Sequence, residues 1–182
     1  MMIIKKKGEH GFYSMQIKKM KLKITDTPSY KPDEAFIKRE EEYWGVKLPA
    51  EYRQFLKEFN GGIPDKGQFM CEGQEQVRKV EHFMCILEDA DNDDGYYDID
   101  AILTQIDAEM VVDPHLVGWE ILPIAELVDR DYDLRGDFVC LDFRKNKENP
   151  SVCVWDHLKS REFKPVTYKV ADTYTEFIDM LF

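Results

Sequence analysis

The chain has 182 residues, enough for one domain with a substantial core, and its composition of 43% hydrophobic and 34% charged residues is typical of a globular protein. It has no apolar run near the roughly 20 residues of a membrane span and no apolar stretch of a secretory signal after its first lysines, so we expect a cytoplasmic protein. The net charge of −11 argues against direct nucleic-acid binding, which requires lysine and arginine to contact phosphates.

The charge is distributed unevenly. Residues 1–31 carry eight lysines against Glu9 and Asp26, a net charge of +6, which leaves −17 for residues 32–182. We therefore divide the chain into a basic amino-terminal extension, 1–31, and a main domain, 32–182. In the extension, MQIKKMKLKIT alternates apolar residues with lysines, a pattern that predicts an added strand. The acidic main domain favours a basic partner protein.

Two helices are predicted after the proline-containing connector TDTPSYKP. The stretch PDEAFIKREEEYWG opens with Pro32 and acidic residues, which suit a helix amino terminus, and Gly45 is expected to end the helix. The next stretch, AEYRQFLKEFNGG, places apolar residues at offsets of 0, 3, 4 and 7 from Tyr52, the spacing of a buried helical stripe. Asn60 and the two glycines after it favour the left-handed backbone that ends such a helix.

Short apolar runs bounded by glycine, proline or charged residues predict the strands. In chain order they are GQFMC, VEHFMCIL, GWEILPIAELV, GDFVCLDF, SVCVWDH and FKPVTYKVA. Between the second and third runs, GYYDIDAILTQIDAEM has apolar residues on helical spacing from Tyr96 to Ile106. The last stretch, DTYTEFIDMLF, has the capping-box spacing of Thr173 and Glu176 and predicts a closing helix. Helices before and after a run of strands predict a single α+β domain.

The most acidic stretch is ILEDADNDDGYYDID, residues 86–100, with seven acidic residues around Gly95. It does not fit an EF-hand calcium loop, because starting at Asp89 puts Asp94 where glycine is required, and starting at Ala90 removes the first ligand. Adjacent carboxylates in a polar string stay solvated, which disfavours acid–base catalysis. Two compatible interpretations are a hydrated loop that caps the next helix and a docking site for a basic partner, with candidate contacts Asp89, Asp91, Asp93, Asp94 and Asp98.

The four cysteines have no C-x-x-C spacing and lie in apolar runs, so we expect reduced, buried thiols. Cys153 and His157 are separated by about 13 Å of strand, too far for a hydrogen bond, and an enzyme in which Cys140 meets His157 is an unfavoured alternative. The histidine spacing and the glycines match no zinc or nucleotide motif, so we expect no metal and no cofactor. The sequence favours a core and a surface position of Trp155 equally. Together with Asp156 and His157, Trp155 is predicted to be a neighbour of the docking site.

Five motifs occur in an order typical of one protein family. EEYWGVKLPAEYRQFLKEFNGGIP resembles the amino-terminal signature of the SUKH superfamily, Smi/Knr-like branch. ILPIAEL, GDFVCLDF, VCVWDHL and TYTEFIDMLF resemble later strands and the closing helix of that family, in the same order. The resemblance covers residues 32–182. Residues 1–31 have no counterpart in it, and the approach RDYDLRGD is longer than the family's usual acidic turn.

The resemblance implies an α+β domain in which helices pack on a twisted mixed or antiparallel sheet, without catalytic activity. It also implies a bacterial immunity protein that binds a cognate polymorphic or contact-dependent toxin domain. Such toxins are often nucleases, which are basic because they hold nucleic acid, so the resemblance and the acidic charge agree on the partner. The alternative is a non-enzymatic scaffold or regulator similar to the fungal cell-wall signalling members. A monomer or a weak homodimer is expected.

Overall fold

The computed structural model describes residues 22–73, 75–89, 93–128 and 136–182, which form one α+β domain as the sequence predicted. Among these residues, no helix is long and apolar enough to cross a membrane. The helices are α1 (Glu34–Trp44), α2 (Ala50–Glu58), α3 (Ile99–Ile106) and α4 (Tyr174–Met180). The strands are β1 (Ile24–Thr25), β2 (Ile63–Pro64), β3 (Gln68–Met70), β4 (Val77–Phe83), β5 (Ile121–Leu127), β6 (Phe138–Asp142), β7 (Ser151–Trp155) and β8 (Thr167–Ala171).

The main sheet has six strands in the order β3-β4-β5-β6-β7-β8, so each strand pairs with its neighbour in sequence. All of these pairings are antiparallel, which selects one of the two sheet types that the family resemblance allowed. In the β6–β7 register, Phe138 lies opposite Trp155 and Cys140 lies opposite Cys153. These four side chains therefore share one face of the sheet.

The edges of the sheet are partly covered. The backbone of Gln68 in β3 exchanges two hydrogen bonds of 3.1 Å with the last residue, Phe182. Just beyond the end of β3, the Glu72 amide donates to the Lys169 carbonyl of β8 at 3.1 Å, so the chain after one outer strand contacts the other outer strand. Covering an edge in this way blocks unwanted pairing with another chain.

The amino-terminal helices have the ends that the sequence predicted. The Asp33 carboxylate accepts a hydrogen bond of 2.8 Å from the Phe36 amide and caps α1, and Gly45 ends the helix with a φ of 70°. The carboxyl end of α2 is followed by Asn60 in the left-handed region, with a φ of 51°. The capping residues Asp33, Gly45 and Asn60 therefore have the roles that the sequence predicted. The apolar stripe of α2 is buried and faces the sheet.

The core lies between the sheet and helices α2 and α4. Phe55 of α2 packs against Phe83 of β4 with 4.9 Å between ring centroids, and Tyr52 meets Tyr174 of α4 edge to face at 5.1 Å. Every side chain of β5 and β6 is buried, so these central strands are covered on both faces. This explains why they read as continuous apolar runs instead of alternating patterns.

Two predicted elements have different bounds in the structure. The run VEHFMCIL was predicted as a strand, but β4 begins earlier, at Val77, and ends at Phe83. The predicted stripe of the third helix included Tyr96, whose side chain is 64% exposed, because residues 93–97 form a separate short 3₁₀ helix. Asp98 has extended backbone angles and starts α3 one residue later, so Tyr96 is not in phase with the α-helical stripe.

The predicted added strand lies mostly outside the described residues. Within them, β1 pairs antiparallel with β2, with Ile24 opposite Pro64. Leu22 is buried while Lys23 is exposed, which follows the predicted alternation. Residues 1–21, and with them most of the basic extension, are outside the described ranges, and the division of the chain at residue 31 stays a prediction.

Candidate functional site

The acidic stretch contributes both surface and structural residues. The Asp89 side chain is exposed at the end of a described range. Asp91 lies outside the described residues, as do the side chains of Asp93 and Asp94, whose backbone belongs to the short 3₁₀ helix. These four residues stay predicted contacts, and only Asp98 of the five has a fully described environment.

Asp98 is a structural residue of the fold. It is only 4% exposed, and its two carboxylate oxygens accept hydrogen bonds from the amides of Ala101, at 3.0 Å, and Leu87, at 2.9 Å. The side chain thus caps α3 and also ties the segment after β4 to the helix. Burial raises the pKa of Asp98 despite these amide bonds. In this conformation a partner cannot reach the carboxylate, so we remove Asp98 from the predicted contact set.

Trp155 belongs to the core. Its ring is fully buried and stacks on Phe138 with 5.8 Å between centroids, and its indole N–H donates to the Glu109 carbonyl at 3.2 Å. The sequence left open whether Trp155 lies in the core or at the surface, and its complete burial places it in the core. The register explains it, since Trp155 lies opposite Phe138 on the covered face of β6 and β7.

Asp156 and His157 organise the turn after β7. The buried Asp156 carboxylate accepts hydrogen bonds from the amide and the ammonium group of Lys159, at 3.0 and 2.8 Å, and from the Tyr168 hydroxyl at 3.3 Å. Burial opposes its charged form, but the bonds from Lys159 prevail and lower the pKa of Asp156. His157 is half-buried, and its amide donates to the Asp137 carboxylate at 2.9 Å. The Asp156 side chain is thus engaged within the fold, whereas His157 is held by its backbone amide, its ring lies 5.8 Å from the Trp155 ring, and its buried Nδ1 has no hydrogen-bond partner among the described residues.

The structure does not bring the two predicted groups together. Asp98 begins α3, whereas Trp155 contacts Glu109, which follows the carboxyl end of that helix. Eight helical residues separate these ends by about 12 Å, and the 3₁₀ turn at Asp107–Glu109 adds to the distance. The acidic stretch and the Trp155 turn are therefore two places on the molecule.

A third surface, which the sequence reasoning missed, lies beside the start of α3. The Tyr43 and Trp119 rings pack at 5.4 Å between centroids, with Tyr43 57% exposed and the neighbouring Val117 side chain 91% exposed. We call Tyr43, Val117 and Trp119 the apolar platform. The sequence offered only a weak indication of this surface. Tyr43 is offset from the buried stripe of α1, and the segment with Val117 and Trp119 reads as an ordinary loop before β5.

Close backbone contact holds the apolar platform in place. The Trp119 amide donates to the Trp44 carbonyl at 2.9 Å, at the carboxyl end of α1. Gly118 has a φ of 100°, and a Cβ at this position would lie only 2.2 Å from the same carbonyl oxygen. The loop can therefore rest on the helix end only because Gly118 has no side chain.

Hydrogen bonds within the loop fix its shape. The Glu120 carboxylate accepts hydrogen bonds from the amides of Val112, at 2.5 Å, and Asp113, at 3.3 Å. The Asp113 carboxylate in turn accepts a bond of 2.9 Å from the His115 amide. The loop therefore presents the apolar platform from a defined backbone, with two carboxylates beside it.

Two carboxylates lie near the contact of α1 with α3. The Asp100 carboxylate, in the first turn of α3, accepts a hydrogen bond of 2.7 Å from the Trp44 indole. Glu40 of α1 is buried and close enough to Asp100 for the two charges to interact, and Arg39 Nε approaches Glu40 at 3.2 Å. Burial, followed by the nearby charge of Asp100, raises the pKa of Glu40. We call Glu40 and Asp100 the carboxylate pair.

Comparison with known protein families gives one assignment. The family model for the SMI1 / KNR4 family (SUKH-1) matches residues 31–180 of the 182-residue chain. The chain belongs to the SMI1/KNR4 family. This confirms the resemblance inferred from the motif order. Neither the comparison with curated proteins nor the comparison with solved structures gave a match.

Asn60, in the NGG stretch of the segment that resembles the family signature, supports the fold of the SMI1/KNR4 domain. The fully buried Asn60 side chain donates to the carbonyls of Ile86, at 2.9 Å, and Tyr30, at 3.2 Å, and accepts from the Ile86 amide at 3.0 Å. It thereby ties the end of α2 to the residue at which the acidic stretch begins. Asn60 therefore has a structural role beside the start of the acidic stretch.

The thiols of this SMI1/KNR4 domain are buried and free, as the sequence predicted. Cys140 and Cys153 face each other across β6 and β7, and burial raises the pKa of both. Cys140 Sγ donates to the Phe138 carbonyl at 3.7 Å. Its observed partner is not His157, and burial disfavours both thiolates, so the structure offers no activated thiolate at this place.

We expect all four cysteines to react slowly with iodoacetamide at neutral pH in the native protein, by at least about 100-fold relative to the protein in guanidinium chloride. The reason is that the reactive thiolate is disfavoured by burial, which raises the pKa of Cys71 as well. Mass spectrometry of timed aliquots measures the label on each cysteine. Fast labelling of Cys140 or Cys153 in the native state would revive the cysteine-enzyme alternative.

Neither a metal site nor an acid–base site is evident among the described residues. No group of three His, Cys, Asp or Glu side chains in these ranges is arranged to hold a metal ion. An open groove of about 570 Å³ lies between β3, β8 and α4, with Cys71 among its lining residues. Its charged groups satisfy one another, since Lys169 pairs with Asp172 at 2.6 Å and the Glu176 carboxylate accepts from the Asp172 amide at 3.0 Å. The groove therefore provides no free acid–base pair.

Proposed function

We propose that this protein is an immunity protein that binds a cognate polymorphic or contact-dependent toxin domain, a basic nuclease, and neutralises it. The observation that carries the proposal is the charge of −17 on residues 32–182 in a member of the SMI1/KNR4 family. A nuclease domain is basic because it must hold phosphates, and an acidic protein competes for the same surface. Inhibition then requires only tight, correctly placed binding.

The buried thiols and the engaged polar groups support a binding role over an enzymatic one. Cys140 and Cys153 are disfavoured as nucleophiles, and Asp98 and Asp156 support the fold through hydrogen bonds. Among the described residues, exposed charged side chains are more often acidic than basic, and they include Asp89 in the acidic stretch. Such a surface accelerates encounter with a basic protein, and apolar contacts then slow dissociation.

The decisive test uses the toxin domain encoded by the neighbouring reading frame. Expression of that domain alone is expected to stop growth, and co-expression of this protein is expected to restore it. The purified pair is expected to form a complex in which the nuclease activity of the domain is lost. A neighbouring toxin that is neither bound nor inhibited would refute the proposal and leave the non-enzymatic scaffold or regulator as the function.

We further expect the association rate constant with that toxin domain to fall by roughly tenfold or more when salt rises from about 20 mM to about 150 mM. Replacing Asp91, Asp93 and Asp94 together by asparagine should slow association at low salt by a similar factor. Stopped-flow fluorescence measures both effects. The physical reason is that long-range attraction to a basic surface is screened by ions and scales with the acidic charge.

A matched control removes three charges elsewhere. Glu72, Glu75 and Glu148 are exposed and lie outside the acidic stretch. Their joint replacement by glutamine should slow association much less than the asparagine triple does, and both triples should keep the free energy of unfolding within about 0.5 kcal/mol of the wild type. Equal slowing by both triples would show a general charge effect and move the interface away from the acidic stretch.

A further inference from the structure

One position on the outer edge of β3 is left uncovered by the described part of the chain. The backbone groups of Gln68 bond to Phe182 on this edge, and the Glu72 amide bonds to Lys169. Because backbone groups alternate in direction along a strand, the N–H and C=O of Met70 point to the same edge. Among the described residues, neither group has a backbone partner there. The stretch from Gln68 to Glu72 spans about 13 Å, which is room for a short extended segment.

The position of helix α4 explains why this part of the edge is uncovered. Gln68 and Phe182 exchange both of their backbone hydrogen bonds, at 3.1 Å each, which is the pattern of an antiparallel pair. In that register Met180 would lie opposite Met70, but Met180 is the last residue of α4. The chain therefore leaves the edge at this point, and the groove of about 570 Å³ lies between β3, β8 and α4. We call it the edge groove, and its lining includes Met70, Glu72, Val170, Asp172, Glu176 and Met180.

The walls of the edge groove present apolar surface to solvent. Met70 is 44% exposed, and Val170 and Met180 are half-buried. Met70 lies opposite Val77 of β4, which is 43% exposed, so these two side chains share the open face of the sheet. An unpaired strand edge beside apolar side chains is what binding by strand addition requires, because backbone pairing gives affinity and side-chain contacts give specificity.

The rim of the edge groove is acidic and open to a partner. Three carboxylates, those of Glu72, Asp172 and Glu176, and the ammonium group of Lys169 line it, and all four side chains are exposed. Three negative charges and one positive charge give the lining a net charge of −2. The carboxylate pair differs, because Glu40 is buried. The edge groove therefore combines apolar contact with reachable negative charge, which complements a basic segment.

We propose that the edge groove binds a short extended segment of a basic partner protein, which pairs its backbone with Met70 and places a cationic side chain beside Glu72 and Glu176. This inference rests on the proposed function, since that partner is the toxin domain. An apolar residue next to the cation covers Met70 and Met180. The acidic stretch attracts the partner over a long distance, whereas the edge groove holds it after encounter, so the groove acts mainly on the dissociation rate.

Methionine methyl groups in the edge groove provide the readout for a small probe. The probe is acetyl-Val-Arg-Val-amide, titrated at low salt into the full protein labelled with ¹⁵N and with ¹³C-methyl methionine, and acetyl-Val-Glu-Val-amide is its control. The methyl signals of Met70 and Met180 are expected to shift at least about fivefold more with the arginine peptide than with the glutamate peptide. The indole N–H signal of Trp119, on the apolar platform, is expected not to shift.

Three results of this titration would overturn the proposal. The first is the absence of a saturable shift at Met70. The second is an equal response of Trp119, which would show general attraction of cations to the acidic protein. The third is a change of the Met70 signal with protein concentration in the absence of peptide, which would assign the edge groove to a second copy of this chain.

Met70→Pro tests the backbone pairing. Proline has no N–H, and the Met70 N–H points away from β4, so the pairing of β3 with β4 is kept. The variant is expected to weaken binding of the neighbouring frame's toxin domain at least about fivefold, because one backbone bond to the segment is lost. Met70→Leu keeps the N–H and an apolar side chain and is expected to stay within about twofold of the wild type. Equal binding by the two variants, with both folded in guanidinium chloride titrations, would refute strand addition.

Glu176→Gln tests the cationic contact. Glutamine keeps an oxygen that can accept the 3.0 Å hydrogen bond from the Asp172 amide, so the start of α4 is kept. The variant is expected to raise the dissociation rate of the toxin domain at least about fivefold, because the segment covers this charge in the complex. Glu51→Gln is the matched control, since Glu51 is also an exposed glutamate in the first turn of a helix, and it is expected to stay within about twofold. Equal effects in the two variants would refute the acidic contact.

Glu72 belongs both to the edge groove and to the glutamine triple that serves as the control for association. That triple is therefore expected to raise the dissociation rate of the toxin domain while it slows association only slightly. An unchanged dissociation rate would remove Glu72 from the docking site.

The two proposals can fail separately. If the toxin domain binds the wild type, Met70→Pro and Glu176→Gln equally well, the docking site is wrong and the proposed function stands. If the arginine peptide shifts the methyl signals of Met70 and Met180 but the toxin domain is not bound, the proposed function is wrong and the basic-peptide site stands.

Discussion

Gly118→Ala is expected to lower the free energy of unfolding by about 3 kcal/mol or more. The residue has a φ of 100°, and the new Cβ would lie 2.2 Å from the carbonyl oxygen and 2.8 Å from the carbonyl carbon of Trp44. No real contact is that short, so the loop must move away from the end of α1. The movement breaks the 2.9 Å hydrogen bond from the Trp119 amide to Trp44 and adds backbone strain.

Gly73→Ala is the matched control for this effect. Gly73 also has a positive φ, of 73°, but a Cβ there would meet nothing within 4 Å. Its replacement should cost only the backbone strain, about 1 kcal/mol. Guanidinium chloride unfolding, followed by tryptophan fluorescence, gives both values. If the two variants were equally destabilised, the close approach of the loop to α1 would be wrong, and the apolar platform would lose its rigid support.

Asp98→Ala is expected to lower the free energy of unfolding at pH 7 by about 2–3 kcal/mol. The substitution removes the acceptor for two amides, those of Ala101 at the start of α3 and Leu87 in the preceding segment. Loss of the cap costs about 1 kcal/mol, and an amide left without a partner adds a comparable amount. Asp98→Asn keeps one acceptor oxygen and is expected to lose less. Thermal and denaturant unfolding measure both variants.

The pH dependence of this loss has a definite sign. Burial raises the folded-state pKa of Asp98 above the unfolded value near 4. The protonated side chain is therefore favoured by folding, and its contribution is complete below the unfolded pKa and decreases as the pH rises through the folded pKa. The stability difference between the wild type and Asp98→Ala should be larger at pH 4 than at pH 7. A difference that grows with pH would contradict the assigned environment.

Asp98→Asn also tests the reassignment of this residue. A surface contact would slow association with the toxin domain in Asp98→Asn, in which the charge is lost while most of the fold is kept. A structural residue changes stability and leaves the association rate within about twofold, because no direct contact is lost and one charge is a small part of the total of −17. The same comparison distinguishes Asp98 from Asp91, Asp93 and Asp94, whose loss is expected to slow association.

The helices and strands could largely be predicted because their signals are local. Asp33 and Gly45 bound α1, the stripe from Tyr52 gives α2, and Thr173 caps α4 through the Glu176 amide at 3.2 Å. Where the prediction was wrong, a long-range contact prevailed. The 3₁₀ helix that exposes Tyr96 ends where Asp98 bonds to Leu87, and no pattern in the acidic stretch reveals that bond.

The candidate contacts were harder to predict, because polarity in a sequence does not give exposure in a fold. Asp98 and Asp156 are charged but buried, and each satisfies backbone amides. Trp155 reads as a strand-end residue, and only the register opposite Phe138 places it in the core. Conversely, Val117 reads as an ordinary loop residue, and only the contact of its loop with α1 creates the apolar platform.

The amino-acid sequence by itself determined the α+β class, the membership of the SMI1/KNR4 family and the strongly acidic main domain. Each of these follows from short-range patterns, motif order or composition, which do not depend on distant contacts. The tertiary structure alone decided that the Trp155 turn and the acidic stretch lie at opposite ends of α3. It also decided that the Trp44 indole reaches Asp100 and that the Tyr43 and Trp119 rings pack together. These residues lie 56 or more positions apart in sequence, and the packing of α1, α3 and the loop before β5 brings them together.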